Sequence, residues 1–318
     1  MNFFDRTDPQ LHPGLDFLTG RTPPTTLAEL VAMRRADAAR RPALPAGLAD
    51  QATMADHVAP GGGQGVDVAL RSYRPAHATG TLPCLYWIHG GGMVAGTMAG
   101  DDLHCLQLAL STGLAVVSVE YRLAPEHPFP AAVDDAYQGL LWTVDNAGLL
   151  GVDPARLAIG GASAGGGIAA GLALRARDQD GPALRFQYLA YPMLDDRDQT
   201  PSNREFPAIP SWNRKRNTQA WSWLLGPAHG TDQVSEYAAP ARAGNLSGLP
   251  PALIQVGELD LFRDEDIEYA ARLLQAGVPT ALQVYPGFYH GADALVPEAD
   301  VSVRLLRDRD EALVRALA

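Results

Sequence analysis

Lysine is almost absent from this chain of 318 residues, which has 25 basic residues but only one lysine, Lys215. The sequence therefore contains no Gly-Lys-Ser or Gly-Lys-Thr segment that could form a phosphate-binding P-loop. A Ser–Lys dyad or a lysine Schiff base would have to use Lys215, because arginine stays protonated and cannot take its place. Among nucleophilic mechanisms, this shortage favours a serine activated by histidine.

Cysteine and long apolar runs are also scarce. Cys84 and Cys105 are too few for a disulfide framework or a structural zinc site, and no His-Glu-x-x-His segment occurs, so we expect no metal. No run approaches the roughly 18 apolar residues of a membrane span, and the N-terminal residues lack a signal-peptide pattern. These absences predict a soluble, cytoplasmic protein that does not bind a membrane.

Basic residues are outnumbered by acidic ones. The formal net charge is −11, which does not favour contact with nucleic acid, so we expect no nucleic-acid partner. Hydrophobic residues make up 47% of the chain, enough for a substantial core. We expect one large α/β domain.

Apolar strand patterns alternate with helical patterns along most of the sequence, which predicts a mostly parallel central sheet flanked by helices. Between the strands predicted at 186–191 and 252–256 lie about sixty residues rich in proline and aromatics, too many for an ordinary loop. We expect a helical cap built from this insertion and an N-terminal helix. The predicted division is an N-terminal cap segment at 1–55, the core at 56–193, the cap insertion at 194–245 and the core again at 246–318.

A serine stands at a predicted strand-to-helix turn. Ser163 follows the apolar run 157–159 and precedes a helix of small residues, in the sequence Gly161-Ala162-Ser163-Ala164-Gly165. Glycines on both sides remove side chains that would crowd a sharp turn, as a nucleophile elbow requires. The pattern predicts an exposed, nucleophilic hydroxyl.

A glycine run follows the strand predicted at 84–88, in the sequence His89-Gly90-Gly91-Gly92. Rigid backbone N–H groups stabilise the oxyanion that forms when a serine attacks a carbonyl group. We therefore predict an oxyanion hole formed by the N–H groups of Gly91, Gly92 and Ala164, the residue after the nucleophile.

A histidine and an acid are expected after the serine in this architecture. Only His229 and His290 follow it, and His290 is favoured because it lies directly after the strand predicted at 280–285. The strand at 252–256 leads to Asp260, the predicted acid, with Glu258 as the alternative. The carboxylates at 264–266 are expected in the first turn of the next helix, near the positive end of its dipole.

These motifs together resemble those of the hormone-sensitive-lipase-like branch of the α/β-hydrolases, the bacterial family IV carboxylesterases. The resemblance runs from about residue 66 to residue 291 and includes the segment 121–131. It implies an α/β-hydrolase fold with a helical cap, and a triad of Ser163, His290 and Asp260. It also implies hydrolysis of short-chain or aryl carboxylic esters without a cofactor, and it is compatible with a homodimer.

The sequence departs from this family at several positions near the expected pocket. Ala162 stands where the family usually has Asp or Thr, Met93 where it has an aromatic residue, and Leu261-Phe262 where it has Pro-Leu. These differences concern substrate preference more than the triad. The residues predicted to line the substrate pocket are Met93, Trp212, Trp221 and Tyr289. For the tryptophans, the alternative is that they form the cap's own core.

Other motifs have alternative interpretations. His89, Arg122, Glu126 and His127 precede the serine, fit no triad order and are expected to support loops. The run 165–170 formally fits the glycine pattern of a dinucleotide-binding oxidoreductase, although it begins inside a predicted helix and lacks the usual acid about twenty residues later. A non-catalytic, ligand-binding member of the same fold is the third possibility.

Overall fold

A computed structural model of the chain describes residues 2–39, 44, 45, 47–61 and 65–318. Within these residues, eight strands form a single sheet in the order β1-β2-β4-β3-β5-β6-β7-β8. The strands are β1 (Ala52–Ala59), β2 (Val68–Pro75), β3 (Leu82–Ile88), β4 (Ala115–Glu120), β5 (Val152–Ala162), β6 (Phe186–Ala190), β7 (Ala252–Gly257) and β8 (Thr280–Tyr285). β2 is antiparallel to both its neighbours, and all other pairs are parallel.

Helices connect the strands and cover both faces of the sheet, as expected for consecutive parallel strands. They are α1 (Phe3–Arg6), α2 (His12–Leu18), α3 (Leu27–Ala39), α4 (Leu48–Gln51), α5 (Asp102–Thr112), α6 (Ala131–Asp145), α7 (Ala147–Leu150), α8 (Ala164–Asp178), α9 (Pro201–Glu205), α10 (Arg214–Leu225), α11 (Arg263–Gln275), α12 (Ala292–Leu295) and α13 (Asp300–Leu317). Short 3₁₀ turns lie at Pro9–Leu11, Met98–Asp101, Gly226–Ala228 and Pro240–Arg242.

The central strands are apolar on both faces. In β4, β6 and β7 nearly every residue is buried, since helices cover both sides of the sheet. The core includes Cys84, which is buried as a free thiol. This rigid layer carries the loops at the carboxyl ends of β3, β5, β7 and β8.

The predicted α/β class and the alternation of elements are confirmed, with differences at one edge of the sheet. β1 was not predicted, because most of its side chains are exposed and it pairs only with β2. β2 begins at Val68 and extends to Pro75. The helix α3 begins at Leu27, and Thr26 and Glu29 exchange the hydrogen bonds of a capping box.

The predicted cap segments contain mostly short helices. The N-terminal segment at 1–55 holds α1 to α4, one 3₁₀ turn and the first residues of β1, and the insertion holds α9 and α10 with the 3₁₀ turns at Gly226–Ala228 and Pro240–Arg242. Residues 40–43 and 46, which fall in the predicted N-terminal segment, lie outside the described residues. No helix in the described part of the chain combines the length and the apolar character needed to cross a membrane.

Candidate active site

The turn between β5 and α8 places Ser163 at the carboxyl edge of the sheet. The strand ends at Ala162 and the helix begins at Ala164, so that Ser163 alone makes the turn, with φ 58° and ψ −121°. This strained conformation is typical of functional sites. A Cβ on Gly161 would come within 2.4 Å of the Gly165 backbone, and one on Gly165 within 2.0 Å of the Ile88 carbonyl oxygen. Both positions therefore require glycine.

The loops after β7 and β8 bring an acid and a histidine to this serine. His290 Nε2 lies 2.9 Å from the Ser163 Oγ, and His290 Nδ1 lies 2.8 Å from the Asp260 Oδ2. Asp260 is fully buried, whereas Ser163 is 7% exposed. The three predicted side chains thus form one continuous hydrogen-bonded chain that ends at an accessible hydroxyl.

The alternative acid and histidine lie elsewhere. Glu258 accepts hydrogen bonds from the Gly287 N–H at 3.1 Å and from Arg6, and these bonds lower the pKa of its carboxyl group. The ring of His229 contacts the hydroxyl of Ser222 and the carbonyl oxygen of Asp196. The geometry therefore brings Asp260 and His290, rather than these two residues, to the serine.

The glycine loop after β3 lies beside the serine turn. Gly91 and Gly92 have φ values of 120° and 65°, in the region that favours glycine. A Cβ on Gly92 would come within 2.4 Å of the Trp212 ring, and one on Gly90 would approach the Ala162 carbonyl oxygen at 2.9 Å. The loop is therefore packed between the turn and the insertion.

The N–H groups of this loop are available to a ligand. Within the described residues, no acceptor is found for the N–H of Gly91, Gly92 or Ala164. Ala164 is the first residue of α8, whose N-terminal N–H groups have no partner within the helix. Unpaired N–H groups on rigid backbone are suited to binding an oxyanion.

Aromatic side chains that sequence reasoning missed surround His290. The rings of Tyr191 and Phe262 meet the imidazole edge-on, with centroids 4.8 and 5.1 Å away. The Ser211 hydroxyl donates a hydrogen bond to the His290 carbonyl oxygen at 2.9 Å. Phe262 occupies one of the positions at which the sequence departs from the family. These contacts hold the ring between the acid and the serine.

A buried acid also lies near this cluster. The Tyr191 hydroxyl donates to the Asp293 carboxylate at 2.9 Å, and burial raises the pKa of that carboxyl group. No sequence signal marked either residue, because β6 and α12 meet only in the folded chain. Within the described residues, no cluster of His, Cys, Asp and Glu side chains is arranged to bind a metal ion.

A cavity of about 400 Å³ opens next to the glycine loop. Gly91 and Trp212 line it on the side of the active site, together with residues from α3 and α10. Among the described residues, Trp212 is the one of the four predicted pocket residues that lines this cavity. Trp221 and Tyr289 are fully buried, and the Tyr289 hydroxyl donates to the Leu11 carbonyl oxygen at 3.1 Å. Met93 is also buried.

Three of the four residues expected to support loops have side-chain partners in the structure, and the fourth, His127, is exposed. Arg122 forms a two-pronged pair with the buried carboxylate of Asp135, and Glu126 accepts from Arg34 at 2.8 Å. His89 stacks on the Tyr121 ring with centroids 4.2 Å apart. Their contacts fix the shape of the glycine loop and the segment that follows β4.

The glycines at 165–167 pack against the backbone and leave no space for a pyrophosphate. They lie inside α8, and a Cβ on Gly167 would come within 2.1 Å of the Met193 carbonyl oxygen. One on Gly166 would meet Pro192 at 2.9 Å. Close approach between helix and sheet explains this run, so the dinucleotide-binding interpretation has no structural support.

Comparison with known proteins agrees with this architecture. A family model described as the alpha/beta hydrolase fold matches residues 85–294. The carboxylesterase NlhH of Mycobacterium tuberculosis is 40% identical over 227 residues, which is 71% of each chain. An ethyl acetate hydrolase of Pseudomonas putida is 34% identical over 276 residues, covering 83% of this chain and 86% of the relative.

Comparison with solved structures also finds similarity to an esterase. The structure titled "Bacterial Heroin Esterase" superimposes with a TM-score of 0.91 and 42% identity over the full length of both chains. The chain therefore belongs to the α/β-hydrolase fold family. Within that family it is a carboxylesterase of the hormone-sensitive-lipase-like branch, as the sequence motifs indicated.

Proposed function

We propose that Ser163 is the nucleophile of this carboxylesterase, that His290 is its general base and acid, and that Asp260 orients the imidazole. The observation that carries the proposal is the unbroken hydrogen-bonded chain from the Asp260 carboxylate through His290 to the Ser163 hydroxyl. Only a neutral imidazole whose Nδ1 bears the proton can accept the serine proton at Nε2, and the buried carboxylate favours this tautomer.

Ester hydrolysis then proceeds in two halves. His290 accepts the proton as the Ser163 oxygen attacks the ester carbonyl, and the oxyanion is bound by the N–H groups of Gly91, Gly92 and Ala164. The imidazolium returns the proton to the leaving alcohol, which leaves the acyl group on the serine. A water molecule, deprotonated by His290, attacks the acyl-enzyme and releases the acid. No cofactor is needed for these steps.

Substrates are proposed to be small esters with short acyl chains or aryl leaving groups. The cavity beside Gly91 has a volume of about 400 Å³ and is lined partly by segments from the N-terminus and the insertion, which we propose to be the cap. The cytoplasmic location, the absence of nucleic-acid binding and the homodimer also stay predictions. The net charge of −11 supports the prediction that the protein does not bind nucleic acid.

Replacing the nucleophile tests the proposal. Ser163→Ala is expected to lower kcat for p-nitrophenyl butyrate by on the order of 10⁶-fold, because loss of a serine nucleophile removes the acyl-enzyme route. Ser247→Ala, at an exposed serine far along the chain, is the control and retains full activity. A panel of p-nitrophenyl esters from acetate to palmitate measures the acyl preference.

Covalent labelling provides a second measurement. An organophosphate that traps serine nucleophiles should add its mass to the peptide that contains Ser163, and Ser163→Ala should block the labelling. Substantial turnover by Ser163→Ala with an unchanged circular dichroism spectrum would exclude Ser163 as the nucleophile. A rate that peaks on palmitate would overturn the short-chain preference.

A further inference from the structure

The cavity beside the glycine loop contains two arginines. Arg216 and Trp223 line it from α10, where they lie seven positions apart on one face of the helix, and Arg21 lines it from the N-terminal segment. Most of the remaining wall is apolar, including Leu30 and the tryptophan rings. Positive charge is therefore concentrated in a largely apolar cavity that begins at Gly91.

In the part of the chain that the structure describes, no carboxylate neutralises these guanidinium groups. Within the described residues, Arg216 Nε is buried with no hydrogen-bond partner, and no ion pair joins Arg216 or Arg21 to a carboxylate. Arg21 lies over the Phe17 ring at 4.5 Å, a contact that leaves its N–H groups free. Among the described residues that line the cavity, Asp37 is the one carboxylate, and it is exposed and forms an ion pair with neither arginine.

An unpaired, half-buried guanidinium is unfavourable in the free protein. Burial and the nearby charge of Arg21 lower the pKa of Arg216, although arginine still remains protonated at neutral pH. A buried charged donor without an acceptor destabilises a fold unless something else supplies that acceptor. An anion in the cavity would remove this penalty, whereas a cation would increase it.

We propose that the cavity binds a carboxylate group of the ester substrate and that Arg216 is the specificity-determining residue that binds it. The planar guanidinium matches a carboxylate with two parallel hydrogen bonds, and the charge of Arg21 adds to the attraction. The preferred substrates are thus esters that also carry a free carboxylate. This inference rests on the proposed ester hydrolysis at Ser163, since Gly91 belongs to both the cavity and the oxyanion hole.

The experiment compares matched substrates that differ only in charge. Mono-p-nitrophenyl esters of adipic, suberic and sebacic acids carry the carboxylate on the acyl side, and p-nitrophenyl alkanoates of equal length are the neutral references. Butyrate esters of hydroxycarboxylic acids, followed by titration of the released acid, carry it on the alcohol side. A p-nitrophenyl ester with a terminal trimethylammonium group tests the opposite charge.

Arg216→Gln is the central variant, and Lys215→Gln is its matched control. Lys215 is the neighbouring residue and carries the same charge, but it is exposed and does not line this cavity. We expect Arg216→Gln to raise KM for the preferred half-ester about 10- to 100-fold, the effect of losing hydrogen bonds to a charged group. Its kcat/KM for neutral esters should change less than about threefold, and that for the cationic ester should rise.

Further variants separate binding from structure. Arg216→Lys keeps the charge without the planar fork and should give an intermediate KM. Melting temperatures and neutral-ester rates report whether each variant is folded. The inference would be overturned if Arg216→Gln affected charged and neutral esters equally, or if the wild-type protein preferred the carboxylate in neither series. It would also be overturned if Lys215→Gln raised KM for the half-ester as much as Arg216→Gln does. If the wild-type protein hydrolyses no ester at all, the proposed function fails instead.

Discussion

Asp260 is held in place by its own loop as well as by His290. Its Oδ2 faces the imidazole, and its Oδ1 accepts a hydrogen bond from the Phe262 N–H at 2.9 Å. The carboxylate is fully buried, so water does not compete for either oxygen. Such a carboxylate fixes both the orientation of the imidazole and the position of its proton.

Asp260→Asn is therefore expected to lower kcat about 10⁴-fold, because an amide can donate to Nδ1 and stabilise the wrong tautomer of His290. The fold should be retained, since the amide oxygen can still accept from the Phe262 N–H. Steady-state kinetics with p-nitrophenyl butyrate measures the change. The loss should be smaller than that of Ser163→Ala.

Glu258→Gln is the matched control, because it removes the same charge from the same loop. Glu258 is bonded to Arg6 and Gly287 and does not contact the imidazole. We expect its kcat to stay within about threefold of the wild type, as for most surface changes away from the reacting groups. A larger loss of kcat in Glu258→Gln than in Asp260→Asn would show that the acid has been assigned to the wrong residue.

Helix α11 carries buried carboxyl groups in its first turn. Glu265 Oε1 accepts from the N–H groups of Leu194 and Asp195, whereas neither oxygen of Asp266 has a hydrogen-bond partner within the described residues. Burial, and the nearby charges of Glu265 and Asp260, raise the pKa of Asp266 well above its ordinary 3.8. The helix therefore contains an acid that is more stable when protonated.

This raised pKa makes folding depend on pH. At pH values between the ordinary pKa and the raised pKa of Asp266, the folded protein retains a proton that the unfolded chain has lost. The free energy of unfolding therefore falls as the pH rises, by at most about 1.4 kcal/mol per pH unit. Asp266→Asn removes this titration. We expect its stability relative to the wild type to increase as the pH rises above about 4.

Urea denaturation at several pH values measures this difference. Glu268→Gln, an exposed residue of the same helix, removes one negative charge without changing a buried group and should shift stability by less than about 0.5 kcal/mol. An Asp266→Asn protein that is less stable than the wild type at neutral pH would contradict the prediction. It would show that the ionised carboxylate has a favourable partner.

Elements with strong local patterns could be predicted from the sequence. Ser163 and Asp260 follow the apolar central strands β5 and β7, and His290 follows the edge strand β8, so strand position and chain order favoured them, with Glu258 left as the alternative acid. β1 has no such pattern because its side chains are mostly exposed. The order of the strands in the sheet depends on contacts far apart in sequence, and composition does not encode it.

Contacts between elements could not be predicted in the same way. Tyr191 and Ser211 touch His290 from segments about 100 and 80 residues earlier in the chain. The carboxylates of Glu265 and Asp266 were expected only at a helix start, where exposure is the usual state. Their burial depends on how the segment at 194–195 packs over α11.

At the scale of the whole molecule, charged side chains join the N-terminal helices to the insertion and the core. Arg6 of α1 pairs with Glu205 of α9 and with Glu258 after β7, and Arg263 of α11 pairs with Glu205 at 3.0 Å. Each exposed ion pair contributes little to the stability of the fold by itself. In a connected network, less side-chain entropy is lost for each bond formed than in an isolated pair. These links place three separate segments around one active site.

Arg34 makes the corresponding link for α3. Its guanidinium donates to the carbonyl oxygens of Val94 and Ala124 at 2.6 and 2.5 Å and to Glu126 at 2.8 Å. Val94 follows the glycine loop, and α3 forms one wall of the cavity. A single side chain therefore couples the N-terminal helix to the backbone that carries the predicted oxyanion hole.

Arg34→Gln is expected to loosen α3 from the core, because two backbone carbonyls and one carboxylate lose a charged donor. We expect faster hydrogen exchange in residues 27–39, a loss of about 1–3 kcal/mol in stability and a kcat/KM lowered about 10-fold as the cavity wall shifts. Arg35→Gln, at the adjacent exposed position, is the matched control and should alter none of these quantities. If exchange in α3 accelerates while kcat/KM stays unchanged, the helix does not shape the substrate cavity. Equal losses in both variants would mean that net charge, rather than the link through Arg34, determines the effect.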